Sequence, residues 1–272
     1  MARLRRRRVS VLSINRMIPN ALTLLALCAG LTAVRMAMQE RWELAVTAVV
    51  VAMLLDGLDG RIARLMGATS EFGAQLDSLS DVISFGVTPA LVIFLWTLSD
   101  AGGLGWAICL VYAACCALRL ARFNTALGEE NPAPLASRYF VGVPAPAAAG
   151  LALLPLTMSF VFGDMVLRSD VINLLVLLGV AVLMVSKVPT FSAKRIKLRV
   201  PHRRMAMVGL VIFAAFLISE PWITLTVAGL AYLLSIPAAL MQYRREVKAG
   251  GLEPSEEPPD ESLADADRRD DD

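Results

Sequence analysis

Asp56, Asp59, Asp77 and Asp81 stand in the stretch "DGLDGRIARLMGATSEFGAQLDSLSD", residues 56–81, with apolar sequence on either side. If both arms are helical, Asp56, Asp59, Gly60 and Ala63 fall at i, i+3, i+4 and i+7 and share one face. Gly73, Asp77, Asp81 and Ser84 fall at i, i+4, i+8 and i+11 and share another. An ionised Asp at mid-membrane costs about 2.5 to 3.5 kcal/mol on insertion scales, roughly 10 kcal/mol for four, and like charges repel besides. Arg61 and Arg64 are the near cations in sequence, so bound divalent metal is the simplest compensation. A ligand set made of oxygens, with no His or Cys in it, points to Mg²⁺ or Mn²⁺ over zinc. Gly60, Ala63 and Gly73 leave room for a bulky ligand beside such metals. Carboxylate-held metal next to open space is an arrangement for phosphoryl transfer, in which metal neutralises developing charge and a further carboxylate accepts a proton. The competing reading sets the four Asp in the headgroup zone as helix caps paired with loop arginines, and it leaves the small-residue stripe without a purpose.

The elements that must hold these residues are membrane helices. The chain has 272 residues, 57% of them apolar, and a mean hydropathy of +0.62, more than a soluble core of this size requires. Eight spans are predicted, over residues 17–38, 42–66, 73–98, 104–123, 142–162, 171–186, 205–219 and 222–243. The sixth and seventh are short, so six or seven crossings are open as well. With eight, all but three of the 26 Lys and Arg fall on one side of the membrane, the exceptions being Arg35, Arg41 and Arg168. The positive-inside rule makes that side the cytoplasm, with both termini on it, and an odd number of crossings spoils the asymmetry. The expected fold class is therefore an all-α polytopic membrane protein of about eight transmembrane helices, with a cytoplasm-facing polar active-site cavity at the ends of the second and third.

Other chemistries find little support. A single His nearly excludes His-based zinc sites and Ser-His-Asp catalysis. Cys28, Cys109, Cys115 and Cys116 lie inside apolar runs without metal-knuckle spacing and read as small packing residues. Residues 1–16 form a basic cytoplasmic juxtamembrane segment whose arginines suit anionic headgroups. The apolar run that follows is span-length and lacks a convincing cleavage site, so it reads as retained. Residues 17–243 form the membrane-embedded domain, and residues 244–272, rich in Asp, Glu and Pro, form an acidic disordered cytoplasmic tail. There is no fixed-period repeat and no nucleic-acid module; the basic residues are spread along one membrane side.

The spacing D-x2-D-G-x2-A-R-x8-G-x3-D-x3-D, filled by Asp56, Asp59, Gly60, Ala63, Arg64, Gly73, Asp77 and Asp81, resembles the signature of the CDP-alcohol phosphotransferases at every position. Within that family the segments "SEFGAQLDSLSDVISFGVTPA", "LRLARFN" and "YFVGVPAPAAAG" are most similar to the bacterial phosphatidylserine synthases, and "IPNALT" resembles the family's Pro-Asn-x-x-Thr element. The resemblance implies a helical membrane bundle, usually a homodimer, in the bacterial inner membrane. It implies transfer of the phosphatidyl group from CDP-diacylglycerol to L-serine, giving phosphatidylserine and CMP. Asp56, Asp59 and Asp77 would hold two divalent ions, Mg²⁺ or Mn²⁺, with Asp81 contacting a metal or acting as general base. Gly60, Ala63, Arg64 and Gly73 would surround the CDP moiety, helped by Asn20, Thr23 and Asp56.

For the acceptor, Arg119 and Arg122, three apart at the cytoplasmic end of the fourth span, could with Asn124 bind the serine carboxylate or a lipid phosphate. Their alternative is ordinary positive-inside anchoring. The basic run 187–204 reads as facing anionic lipid, and His202 within it as a bystander. Glycerol 3-phosphate and inositol phosphate remain open as acceptors. By class, an intramembrane-carboxylate cation transporter and a lipid-binding scaffold with a degenerate site are the other readings, although broken helices and repeated halves are not evident and no motif position is missing.

Overall fold

The computed structural model of the chain describes residues 14–127, 139–186, 189–191 and 200–248. The expected basic segment before residue 14, the tail from 249 and the run 192–199 lie outside the described residues, as do the side chains around His202.

Each predicted span is helical. Helix α1 (Ile14–Met38) and helix α2 (Trp42–Leu65) form an antiparallel hairpin. Its turn runs through Glu40, whose φ of 58° is left-handed. Ala33, Ala37, Ala45 and Val49 are fully or almost fully buried, since small side chains let membrane helices approach closely. After Leu65 the chain reverses within residues 66–70. Gly67 takes φ +59°, the Ala68 N–H reaches the Ala63 carbonyl at 2.9 Å, and the Gly67 N–H reaches the Arg64 carbonyl at 3.3 Å. That is a Schellman closure, which needs a left-handed residue where Gly67 stands. Ser70 then caps helix α3 (Glu71–Asp81), its Oγ accepting from the Gly73 N–H at 3.0 Å. Both ends of the reversal are thus pinned, and α2 and α3 return past one another in a set register.

The rod begun by α3 continues without a break to Leu98, but not as one α-helix. Val82–Val87 and Phe94–Leu98 are π-helical, on either side of helix α4 (Thr88–Ile93). Helix α5 (Gly102–Leu127) braces the first π segment: the Tyr112 hydroxyl donates to the Phe85 carbonyl at 3.1 Å, and Cys116 packs where a Cβ on Gly86 would come within 3.0 Å of it. Ser84 packs against α1, its Oγ near the Ala26 carbonyl and Gly30, one turn beyond Ser80, which also faces α1.

Helices α6 (Ala145–Ala152) and α7 (Leu154–Phe162) together make the fifth apolar run, offset at Leu153 ahead of Pro155. The short α8 (Asp164–Leu167) leads into α9 (Asp170–Val185), and α10 (Val200–Ser219) and α11 (Pro221–Lys248) close the order. An addition to the all-α expectation is a small antiparallel ribbon, Tyr139–Val141 with Pro189–Phe191, in the register Tyr139↔Phe191. Among the described residues, five helical stretches are long and apolar enough to cross a membrane: Met17–Met38, Glu71–Leu98, Gly102–Thr125, Ala145–Phe162 and Pro221–Met241. Asp170–Val185 and Met207–Ser219 are shorter apolar helices, and α2, equally long, carries Glu43, Asp56 and Asp59. The protein is therefore a helical, multi-pass membrane protein.

Candidate active site

Asp56 and Asp59 lie one turn apart near the end of α2, and Asp77 and Asp81 one turn apart in α3. The tight reversal between these helices brings the pairs together. Carboxylate oxygens of Asp56, Asp59 and Asp77 all lie within 4.8 Å of one another. Asp81, one turn beyond Asp77, adds a fourth carboxylate beside Asp56. Asp59, 5% exposed, is the most enclosed of the four.

Helix α1 fixes that enclosure. Thr23, itself buried, places Oγ1 2.5 Å from Asp59 Oδ2 and donates to it, while its own carbonyl accepts from Ser80 Oγ at 3.1 Å. One residue of α1 thereby ties α2 to α3 at the level of the carboxylates. Asn124 of α5 adds a second tie, its Nδ2 donating to Ser78 Oγ at 2.9 Å.

Beside the carboxylates opens a cavity of about 340 Å³. Pro19, Asn20 and Thr23 of α1 form one wall, Asp59, Gly60, Ala63 and Arg64 of α2 a second, and Ser70, Gly73 and Asp77 a third. A Cβ on Gly60 would meet nothing within 4 Å, whereas one on Gly73 would stand 3.1 Å from both Asn20 Oδ1 and Ser70 Oγ. Gly60 therefore leaves open space, and Gly73 lets two polar side chains close in on the backbone. Asn20, Thr23, Asp59, Gly60, Ala63, Arg64, Gly73 and Asp77 come together as one lining, with Asp56 adjacent through the carboxylate cluster.

The cluster suits a divalent cation. Three carboxylate oxygens converge, and Asp77 Oδ1 is buried without a hydrogen-bond partner; a hard cation takes such oxygens, and an unmet buried acceptor is otherwise costly. This is a buried acidic site in a helical bundle, beside a cavity large enough for a polar ligand.

The three acceptor candidates separate. Arg119 stands in the electrostatic field of Asp81, and its Nε is buried without a hydrogen-bond partner. Arg122 is exposed and donates from Nη1 to the Val185 carbonyl at 3.2 Å, at the C-terminal end of α9. Asn124 is engaged with Ser78. Sequence reasoning had passed over Ser70, Ser78 and Ser80. A helix-start pattern, Ser before Glu71, marks the first; nothing local marks the other two, whose partners are 46 and 57 residues away.

Comparison with known proteins gives the site a context. Residues 16–186 match the model of the family described as CDP-alcohol phosphatidyltransferase, and residues 203–237 match CDP-alcohol phosphatidyltransferase 2. A Mycobacterium tuberculosis protein named CDP-diacylglycerol--serine O-phosphatidyltransferase is 36% identical over 227 residues, 84% of this chain and 79% of that protein. The Mycobacterium leprae protein of the same name is 35% identical, over 84% of this chain and 75% of its own. That of Helicobacter pylori is 36% identical over 183 residues, 66% of this chain and 73% of its own.

Proposed function

The chain belongs to the CDP-alcohol phosphatidyltransferase family, and from that premise we infer that it is a phosphatidylserine synthase: it transfers the phosphatidyl group of CDP-diacylglycerol to the hydroxyl of L-serine and releases CMP. Relatives of that name along most of the chain support the reading. The observation that carries it is the convergence of Asp56, Asp59 and Asp77 beside a cavity lined by every small residue of the motif. Family membership also replaces the cation-transporter reading.

Asp56, Asp59 and Asp77 would hold Mg²⁺ or Mn²⁺, two ions per site, which would supply positive charge against the diphosphate and the CMP leaving group. Gly60 admits the nucleotide to the α2 backbone, Gly73 lets Asn20 and Ser70 close on the start of α3, and Asn20 and Arg64 offer polar contacts from the cavity lining. Thr23 spends its hydroxyl proton on Asp59 and so fixes one carboxylate orientation. Asp81 accepts the serine hydroxyl proton as the new oxygen–phosphorus bond forms and the bond to CMP breaks, which a poor nucleophile at neutral pH requires. Arg119 pairs with the serine carboxylate; its buried, unpartnered Nε supports that part.

In the membrane, eight crossings put the cavity and both termini on the cytoplasmic side, a topology supported by the charge asymmetry. The bacterial inner membrane is its location, with membrane lipid around a homodimer. The test is CMP release by purified protein given CDP-diacylglycerol with serine, glycerol 3-phosphate or inositol phosphate in turn. Serine-dependent release upholds the reading, and faster release with either phosphate replaces the acceptor.

A further inference from the structure

Two of the four carboxylates ride on a helix that is itself barely buried. Of the eleven described residues of Glu71–Asp81 only Ser80 is buried, so apolar packing does little to fix the placement of Asp77 and Asp81. Firm anchorage begins directly after Asp81, in the π-helical turn Val82–Val87, which buries Ser84, Phe85 and Gly86. That turn is clamped from two sides: a Cβ on Gly30 of α1 would stand 2.8 Å from Ser84 Oγ, and one on Gly86 would stand 3.0 Å from the Cβ of Cys116 in α5. The Thr88 N–H bonds five residues back, to the Ile83 carbonyl. In an α-helix the Phe85 carbonyl accepts from the N–H of residue 89, but residue 89 is Pro and has none. Phe85 and Tyr112 are both fully buried, and the Tyr112 hydroxyl, from α5, takes the place of the missing N–H at 3.1 Å.

We propose that Tyr112 is a positioning residue for Asp77 and Asp81: its hydroxyl supplies the donor that Pro89 withholds and keeps the π turn in the one conformation that sets α3 against α2. This rests on the reading of the carboxylates as a divalent-metal site. A buried carbonyl deprived of its donor is costly, so the backbone around it shifts to find another. The turn that would shift is the one on which α3 stands. Its movement displaces Asp77 and Asp81 relative to Asp56 and Asp59, and metal affinity falls when the groups that orient ligands are lost.

Tyr112→Phe keeps the buried ring and removes the hydroxyl alone, and two measurements on the full-length purified protein test it. The first is amide hydrogen exchange of the metal-free protein, read by mass spectrometry, which needs neither turnover nor a bound ion. Amides of residues 71–88 should exchange several-fold faster in the Phe variant than in the parent, with those of α2 unchanged; equal rates over 71–88 overturn the restraint. The second is titration with Mn²⁺, the free ion being read by electron paramagnetic resonance. Tyr112→Phe should weaken Mn²⁺ binding about tenfold, the lower end for loss of a group that orients a ligand. In a Pro89→Ala background, where residue 89 regains an N–H for the Phe85 carbonyl, the same substitution should change binding by less than about twofold. Parent-like Mn²⁺ binding in Tyr112→Phe makes the hydroxyl a matter of packing and overturns the positioning role. An undiminished effect in the Pro89→Ala background overturns the replacement of the missing N–H. A parent that binds no Mn²⁺ overturns the metal reading instead, and the exchange result still decides the Tyr112 restraint.

Discussion

Thr23 Oγ1 and Asp59 Oδ2 lie 2.5 Å apart, a hydrogen bond between residues 36 positions distant in sequence. It is short, as charge-assisted O–H···O⁻ bonds are. Thr23→Val keeps the shape of the side chain and removes the donor. The expected result is a loss of about 10- to 100-fold in metal affinity or activity, the usual effect of removing a partner that orients a ligand, with Thr23→Ser retaining most of the parent's rate. Titrating CMP release with Mg²⁺ checks it.

Chelation should abolish turnover, and Mg²⁺ or Mn²⁺ should restore it. Asp77→Asn removes a ligand and one of four like charges together, so this variant is expected to remain folded and inserted yet almost inactive. Thermal unfolding with and without Mn²⁺ separates the two effects. The metal should raise the midpoint of the parent and not that of the variant, and turnover in excess chelator would contradict the metal assignment.

Gly60 and Gly73 should answer differently to added bulk. Because a Cβ at Gly60 meets open space, Gly60→Ala is expected to be nearly neutral, while Gly60→Leu fills the cavity and raises the KM for CDP-diacylglycerol at least about tenfold. Metal-induced stabilisation should survive in both. At Gly73 even Ala crowds Asn20 and Ser70 at 3.1 Å, so Gly73→Ala should already impair activity. Unchanged lipid-substrate KM in Gly60→Leu would put the nucleotide on another face.

The two arginines of α5 should part company. Arg119→Ala is expected to raise the serine KM by about 1–3 kcal/mol of lost binding, roughly 5- to 150-fold. Arg122→Ala removes a donor from the end of α9 and should lower the thermal midpoint by about 1–4 °C with little change in either KM. Measuring both constants and the midpoint in both variants distinguishes them.

The helix ranges and the carboxylate pairs were legible in the sequence because both depend on local pattern: apolar runs of span length, a 3–4 spacing of Asp, and a short link that forces antiparallel neighbours. What escaped was set by contacts between distant segments. Nothing in "VISFGV" announces a π-helix; Phe85 and Gly86 are accommodated by Tyr112 and Cys116 of α5. Arg119 and Arg122 look equivalent by spacing, yet one buries its Nε and the other finds the end of α9.

The pinned reversal at residues 66–70 also bears on how the protein is made. Its two closures involve partners no more than five residues apart, so they can form as soon as the segment leaves the ribosome. Thr23 and all four Asp lie within the first 81 residues, and three inserted helices suffice to assemble the acidic cluster. Arg119 is translated later, so during synthesis the four carboxylates can come together before α5 exists to pack beside them.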